Sequence, residues 1–489
     1  MKISKVSIKN FRGIESLENF ELKNLSILIG NNGTCKTSIL EAINFCLSPH
    51  FLSGRIKHTD FFNGSDQTIQ IIVEFDGVFK ALLPDGYTKQ AIECNKVFLE
   101  VKRRDRAAPS KAFSDTVVVS HYLAPNKAKD NDNGWELKRK GGSTFRFDER
   151  LLSFPVESEG LPRSFYFNKN RDKQLQRGFN SSISSVFEDF NWRFNKEIRK
   201  VQEGENKADN QEFFERKAVF EKGILDKIDE KSHKKTFESL NDKLTEVGLP
   251  KIDLSFLDGY APFDSAFLCQ KLLSLDLPVS YLGSGIEMII ALLFLETMSS
   301  LTGEQILVLI DEPELHLHPQ LQLNLVNHLI TTSKKNQIII STHSPYFFKN
   351  CLSNHDIELL ISIKDADSKI RLENTGNNFG LFPWSPSWGE INYFAYNHPT
   401  IEFHNELYGY LQHKNKALNE NNMEAFLIGK GINKSKKWIR LLGGVAQQPY
   451  DVTLMTYIRH SLHHPENPNN IPFTIIELKQ SIEAMIRAQ

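Results

Sequence analysis

The chain has 489 residues, 40% of them hydrophobic and 24% charged. That length exceeds one ordinary hydrophobic core and predicts two or three domains, while the composition excludes a disordered or fibrous chain. Lys and Arg number 59 against 60 for Asp and Glu, which excludes a global basic field, so any nucleic-acid contact must be local.

The cysteines, Cys35, Cys46, Cys94, Cys269 and Cys351, lack the close pairing of a zinc site or a disulfide framework and fit a reducing compartment. The N-terminus has no apolar signal core, and the longest apolar run, Met288 to Leu295, is far short of a bilayer span. A cytoplasmic protein without a membrane partner is expected.

Residues 3 to 8 alternate apolar and polar, as a half-buried strand does. Leu25 to Ile29 read as a fully buried strand running into Gly30-Asn31-Asn32-Gly33-Thr34-Cys35-Lys36-Thr37-Ser38. From Thr37 to Leu47 a helical period sets Ile39, Leu40, Ile43 and Leu47 on one face. A glycine loop between strand and helix presents successive backbone N–H groups and the positive end of the helix dipole to phosphate oxygens. In the pattern G-x-x-x-x-G-K-T, Lys36 reaches the terminal phosphates and the Thr37 hydroxyl binds magnesium. One position departs from that pattern: Cys35 stands where glycine is expected, so a side chain there is expected to crowd the phosphate or make the loop adjust.

Short alternating runs from Ile69 to Val119 predict strands, and Trp135 to Phe147 bracket Gly141-Gly142 as a hairpin would. Lys102-Arg103-Arg104 and Lys138-Arg139-Lys140 lie in this region and read first as solvated sheet edges. Residues 182 to 247 are charged and helical, with one stripe of Phe213, Phe220, Ile224 and Ile228 and a second of Phe237, Leu240, Leu244 and Val247. Gly248 and Pro250 end the second stripe, which predicts a short antiparallel helical arm.

Leu275 to Met298 are expected as a helix, with Ile306 to Ile310 and Gln337 to Ser341 as strands that complete the nucleotide fold. Asp311 and Glu312 follow the first of these strands, placed to hold a magnesium shell and to polarise an attacking water. Leu282-Gly283-Ser284-Gly285-Ile286-Glu287 offers a second anion nest at a helix N-terminus, and Ser341-Thr342-His343-Ser344 follows the last strand. Beyond about residue 385 the composition turns to Trp, Tyr, His and Asn, which marks a separate domain.

The order of these motifs, opened by Asn10-Phe11-Arg12, resembles the ATP-binding cassette ATPases of the RecF, SMC and OLD-like branch. The resemblance implies an α/β fold: an ABC-type ATPase head with a mixed sheet and P-loop, an inserted helical arm and a mainly helical C-terminal domain. The expected boundaries are 1–180 for the first lobe, 181–250 for the arm, 251–385 for the second lobe and 386–489 for the C-terminal domain. ATP and Mg2+ are the implied cofactors, with Thr37 and Asp311 as metal ligands. Ser284 and Gly285 are implied to close over the ATP of a second subunit, giving a head-to-head homodimer and higher homo-oligomers. His343 becomes the switch that senses the terminal phosphate, and Glu314 to His318 a subunit-contact turn in which His316 and His318 are not a metal pair. The glutamine that this branch carries after the first helix is not evident, and Asp60 stands as a candidate for that region.

The C-terminal domain lacks the acidic clusters of a Toprim nuclease. Arg459 and His464 match the R-x4-H spacing of HEPN ribonucleases, in which arginine holds the scissile phosphate and histidine exchanges a proton with the 2′-hydroxyl. His404 and Glu406 are candidates for the same pocket, and a docking or capping role for this helix end is the alternative. An ATPase of this branch with a distinct C-terminal module resembles the ATPase subunits of bacterial anti-phage systems such as Septu and PARIS, and the anticodon-nuclease ATPases. That resemblance implies a sensor and scaffold that controls an effector nuclease and answers a phage-encoded trigger. Two alternatives stay open, a self-contained ATP-gated HEPN ribonuclease acting on tRNA and a RecF/SMC-like DNA-repair ATPase.

Overall fold

A computed structural model describes residues 1–47, 56–64, 67–83, 85–103, 117–127, 129–130, 134–147, 158–169, 222, 233–258, 263–272, 275–303, 305–344, 347, 357–365, 369–374, 379–385 and 387–489. The chain forms two compact units, Met1–Glu373 and Asn374–Gln489. The second unit therefore begins at Asn374, ahead of the boundary at 386 expected from composition.

In the first unit, β1 (Ile3–Phe11), β2 (Ile14–Glu21), β4 (Ile69–Leu82), β5 (Ala91–Arg103) and β6 (Val117–Pro125) form an antiparallel sheet in the order β2-β1-β4-β5-β6, with β9 (Ser158–Glu159) beside β4. Their alternation of buried and half-exposed positions shows a sheet with one face on the core. The second sheet has the order β10-β14-β15-β3-β16-β17, from β3 (Leu25–Ile29), β10 (Arg163–Phe167), β14 (Ile306–Asp311), β15 (Gln337–Ser341), β16 (Ile357–Lys364) and β17 (Ile370–Asn374). Strands β10, β14, β15, β3 and β16 pair in parallel. Every residue of β3, β14 and β15 is buried, as continuous apolar runs in a parallel sheet covered on both faces should be.

Helix α1 (Lys36–Leu47) fills the space between the sheets. Its Ile39, Leu40, Ile43, Cys46 and Leu47 join one core with Ile8, Ile71, Val73, Val97 and Leu99 of the antiparallel sheet and Leu307, Leu309 and Ile339 of the parallel one. The Trp135–Phe147 hairpin is present as β7 (Trp135–Lys138) and β8 (Thr144–Phe147), with Trp135 opposite Phe147.

The second apolar stripe of the expected arm is helix α2 (His233–Glu246), which buries Leu240 and Leu244. It stops at Gly248, φ 79°, where Leu249 N–H returns to Leu244 O at 2.8 Å. The first stripe, Phe213 to Ile228, lies outside the described residues.

The segment expected as a helix from Leu275 starts instead as a strand. Asp253–Asp258 (β11), Phe263–Leu272 (β12) and Leu275–Pro278 (β13) make a three-stranded antiparallel sheet, and helix α3 begins only at Ser284 and runs to Thr302. Pro278 at the strand end and Gly283, φ 100°, as N-cap separate the two elements. Helix α4 (Pro319–Thr332) follows β14.

The second unit packs α5 (Ile401–Lys414), α6 (Glu420–Gly429), α7 (Leu454–His463) and α8 (Ile475–Ala488) around Phe403, Leu407, Leu411, Met423, Leu427, Ile458, Leu478, Ile482 and Met485. The side chains of Thr400, Asn419, Thr453 and Thr474 cap the four N-termini. Between α6 and α7 a ribbon of β18 (Lys434–Trp438), β19 (Leu441–Leu442), β20 (Val445–Ala446) and β21 (Tyr450–Thr453) interrupts the helices. No helix among the described residues is long and apolar enough to cross a membrane.

Candidate nucleotide site

The parallel sheet brings the scattered motifs to one edge, the carboxyl ends of its strands, where open α/β sheets bind ligands. Residues 30–38 leave β3 there, Asp311 ends β14, and Ser341 ends β15. Register pairs Asp311 with Ser341, and Ser341 with Leu28.

The loop is held at both ends. A Cβ on Gly30, φ 144°, would overlap the Ser362 carbonyl oxygen of β16, so only glycine fits. The Ser362 hydroxyl donates to Thr34 O at 2.5 Å, and the Thr34 hydroxyl to Asn31 O at 2.8 Å. Lys36 is buried and its ammonium donates to Gly30 O and Asn31 O, each at 2.9 Å. Burial pushes the Lys36 amine down to about 8, against the raising effect of Glu312, Asp311 and Glu314.

Cys35 has φ 64°, the left-handed conformation that favours glycine, which explains the residue type the pattern expects there. Its thiol packs toward the β1–β2 turn: a Cβ on Gly13 would come within 2.5 Å of Cys35 Sγ. Burial raises the Cys35 thiol above its ordinary range.

Asp311 is 1% exposed, and its Oδ1 accepts from the Thr37 hydroxyl at 3.0 Å and from the Ser341 hydroxyl. Its Oδ2 is buried with no partner among the described residues. Burial holds this carboxyl above the usual range in spite of the two hydroxyls. A buried oxygen left without a donor costs free energy unless a ligand satisfies it. A hydroxyl and a half-satisfied carboxylate are hard oxygen donors of the kind Mg2+ takes through one carboxylate plus substrate phosphates, so the residues fit that ion.

Glu312 has φ 52° and donates its N–H to Ser341 O at 2.9 Å. A non-glycine residue held there stores strain of about 1–3 kcal/mol, which fits a side chain aimed for chemistry. Its carboxylate Oε1 lies 3.8 Å from His343 Nε2. Burial, aided by the Lys36 charge, lowers the His343 imidazole to about 4, so the ring is neutral near pH 7.

Glu314 faces inward and accepts the His343 N–H at 2.7 Å, which ties the turn after β14 to the loop after β15. His316 and His318 are exposed, and His318 Nδ1 caps helix α4 at Gln320 N. Ser284 and Gly285 open helix α3, and Gly285 is pressed against that same turn. A Cβ there would meet Leu317 Cδ2 at 2.7 Å and His316 O at 2.9 Å. Asp60 is committed elsewhere: its carboxylate accepts from Arg12 Nε and from Lys57 N, each at 2.8 Å.

Sequence reasoning missed Lys169. Strand β10 runs parallel to β14 with Phe167 opposite Ile310, so the chain leaves the sheet at Asn168 and Lys169 alongside Asp311 and Glu312. The Lys169 ammonium lowers the pKa of both Asp311 and His343. Its signal, a short alternating strand followed by Asn-Lys, differs in no way from neighbouring strands until the register is known.

In the second unit the two members of the expected pair have different neighbours. Arg459 lies over the Tyr408 ring at 4.8 Å and acts on His404, which burial lowers to about 3. His464 is exposed beyond the helix end, 6.5 Å from the Trp438 ring, with Nδ1 3.3 Å from Glu466. Glu406 accepts from Trp384 Nε1 at 2.7 Å and Ser387 Oγ at 2.5 Å, so it does not share the surroundings of His404, whose Nε2 faces Ser481 Oγ at 3.0 Å.

Residues 1–348 match the family described as AAA ATPase domain, AAA_15. The chain is similar to an OLD nuclease of Thermus scotoductus, 26% identical over 398 residues that cover 78% of this chain and 67% of that protein. It is equally similar to the retron Vc95 probable ATPase of Vibrio cholerae serotype O1 biovar El Tor, 26% identical over 415 residues, 78% of this chain and 77% of that one. Septu protein PtuA of Bacillus thuringiensis is 40% identical over 80 residues, 16% of this chain and 19% of that protein.

Proposed function

The chain belongs to the AAA ATPase domain family and is an ATPase, and we propose that it works as the sensor and scaffold subunit of a bacterial anti-phage system, controlling an effector nuclease in response to a phage-encoded trigger. The observation that carries the catalytic part is the Asp311 carboxylate, held by Thr37 and Ser341 on one oxygen and left open on the other. The defence role rests on the likeness to retron and Septu proteins.

In this reading the backbone N–H groups of residues 30–38 and the Lys36 ammonium bind the phosphates, while Thr37 and Asp311 hold Mg2+. The ion, when bound, would supply positive charge that offsets the charge developing on the phosphates during transfer. Glu312 orients and deprotonates the attacking water, neutral His343 beside it registers the terminal phosphate, and Lys169 adds positive charge at the same edge. Ser284 and Gly285 act on the nucleotide of a second copy, so ATP draws two chains head to head and builds the larger scaffold.

The experiment is Glu312→Gln, read by phosphate release and by mass in solution with and without ATP. Turnover is expected to fall by about two to four orders of magnitude while an ATP-dependent dimer persists. Unchanged turnover refutes the catalytic assignment, and a mass indifferent to ATP refutes the composite sites. Co-purification of a nuclease with the tagged chain, and its release in the same variant, tests control of the effector.

A further inference from the structure

The most basic exposed feature of the second unit is the ribbon between α6 and α7. Residues 430–440 carry Lys430, Lys434, Lys436, Lys437 and Arg440 and no acid, in a chain whose overall charge is balanced. Lys436 is paired with Glu477 and lies 5.3 Å from the Tyr457 ring centroid, and Lys434 lies 3.7 Å from Glu424. Lys437 and Arg440 are exposed and, among the described residues, in no ion pair. Asp451, opposite Lys437, is the ribbon's acid.

The ribbon is braced before it meets a partner. Asn470 closes both backbone groups of Ile439, accepting its N–H and donating to its carbonyl, each at 2.9 Å, and Asn467 donates to the same carbonyl at 2.7 Å. Trp438 is buried with Val452 and Tyr457. Beyond this brace the tip turns on Gly443 and Gly444, φ 57° and 85°, and pairs Leu442 with Val445, 59% and 64% exposed.

We propose that this ribbon, Lys434 to Thr453, docks duplex DNA, with Lys437 and Arg440 on the phosphates and the Leu442–Val445 tip in the major groove. Two cations outside any ion pair among the described residues supply phosphate contacts from a backbone that is already ordered, so only their side chains lose freedom on binding. The B-form major groove admits a two-stranded ribbon and presents thymine methyls to apolar side chains, which suits a tip of Leu and Val between cations. Single strands are bound by exposed aromatic platforms, and the ribbon's Trp438 is 2% exposed. A-form duplex RNA has a major groove too deep and narrow for such an insertion.

The test uses the full chain and a fluorescent DNA duplex of about two helical turns, titrated by anisotropy over a range of salt. Lys437→Glu with Arg440→Glu is expected to weaken binding by on the order of tenfold or more and to lower the slope of log affinity against log salt by about 2. Leu442→Ser with Val445→Ser is expected to weaken binding with the slope unchanged. Circular dichroism and ATP turnover, both expected at the parent's values, show that the variants fold. Parent-like affinity and slope in the charge-reversal variant overturn the proposal. So does a parent chain that binds duplex RNA or single-stranded DNA of the same sequence as tightly as duplex DNA.

Discussion

The nucleotide edge and the end of helix α7 were both legible as short motifs, and the fold treats them in opposite ways. Thr37 and Asp311 are 274 positions apart and meet at 3.0 Å, whereas Arg459 and His464 are five positions apart and face different neighbours. The difference is geometric. Parallel strands in register deliver their carboxyl ends to one line whatever the sequence separation, so a loop after each strand adds to the same site. On a helix of 3.6 residues per turn, a step of five turns the direction by about 140° away from the starting residue. A motif fixed by strand register is therefore a statement about place, and one fixed by spacing at a helix end is a statement about place only if a second chain supplies the missing half.

The sharpest way to break this comparison is to remove one member from each site. Glu312→Gln is expected to lower kcat for ATP by about two to four orders of magnitude, the usual worth of a positioned base, with ATP binding retained by calorimetry. Lys169→Ala, which removes a charge that acts on Asp311 and His343, is expected to cost on the order of tenfold in turnover. Arg459→Ala and His464→Ala should leave ATP turnover at the parent's value. Turnover lost on changing His464 would refute this independence of the two motifs.

The pH dependence of ATP binding sharpens the reading of Lys36. Its free-site pKa is lowered to about 8, and an anionic phosphate beside the ammonium raises it on binding. Binding therefore takes up a proton wherever the free amine is deprotonated. Affinity should be flat below pH 8 and fall as pH rises through it, by up to about tenfold per unit. Calorimetry above pH 8 in buffers of different ionisation heat should show this uptake, and Lys36→Arg should abolish it.

Gly285→Ala probes the link between the helix α3 signature and the turn after β14. The new Cβ would press on Leu317 and on the His316 carbonyl, and the turn it displaces holds His343 through Glu314. A loss of about 1–3 kcal/mol of stability is expected, as for other overpacked positions, with kcat falling further than ATP affinity. Equal effects on both would place the damage in the loop around Lys36 instead.

How much of this was legible follows from what each signal encodes. The apolar runs of β3, β14 and β15 and the face of α1 were readable because full burial in a parallel sheet leaves an unbroken hydrophobic string. The residues Leu275 to Pro278 were misread as helix because the alternation Leu275-Asp276-Leu277 is too short to set a period of two against the apolar helix that follows, and Pro278 and Gly283 were the breakers to weigh. Lys169 and Ser362 were invisible because their importance lies in strand order, which sequence does not state. The brace around Ile439 was hidden because it is made by side chains distant in sequence, and Asn467 and Asn470 look like ordinary loop residues until they close on its backbone.

Cys35 carries the smallest and most specific test, because it is the one place where the loop departs from its pattern. The fold accommodates it through Gly13, whose missing side chain leaves room for the thiol. Gly13→Ala in the parent chain is expected to be destabilising, since the new methyl would overlap Sγ, and the same change in a Cys35→Gly background should be nearly neutral. The coupling between the two positions, read from denaturant melts as a double-mutant cycle, is expected to be about 1 kcal/mol. Cys35→Ala removes the thiol but keeps a Cβ at φ 64°. It should therefore relieve the clash with the methyl that Gly13→Ala introduces and leave the backbone strain, placing it about 1 kcal/mol below Cys35→Gly in stability. Additive effects of the two substitutions would mean that the loop, rather than the β1–β2 turn, adapts to the cysteine, and ATP affinity would then rise in the Cys35→Gly chain.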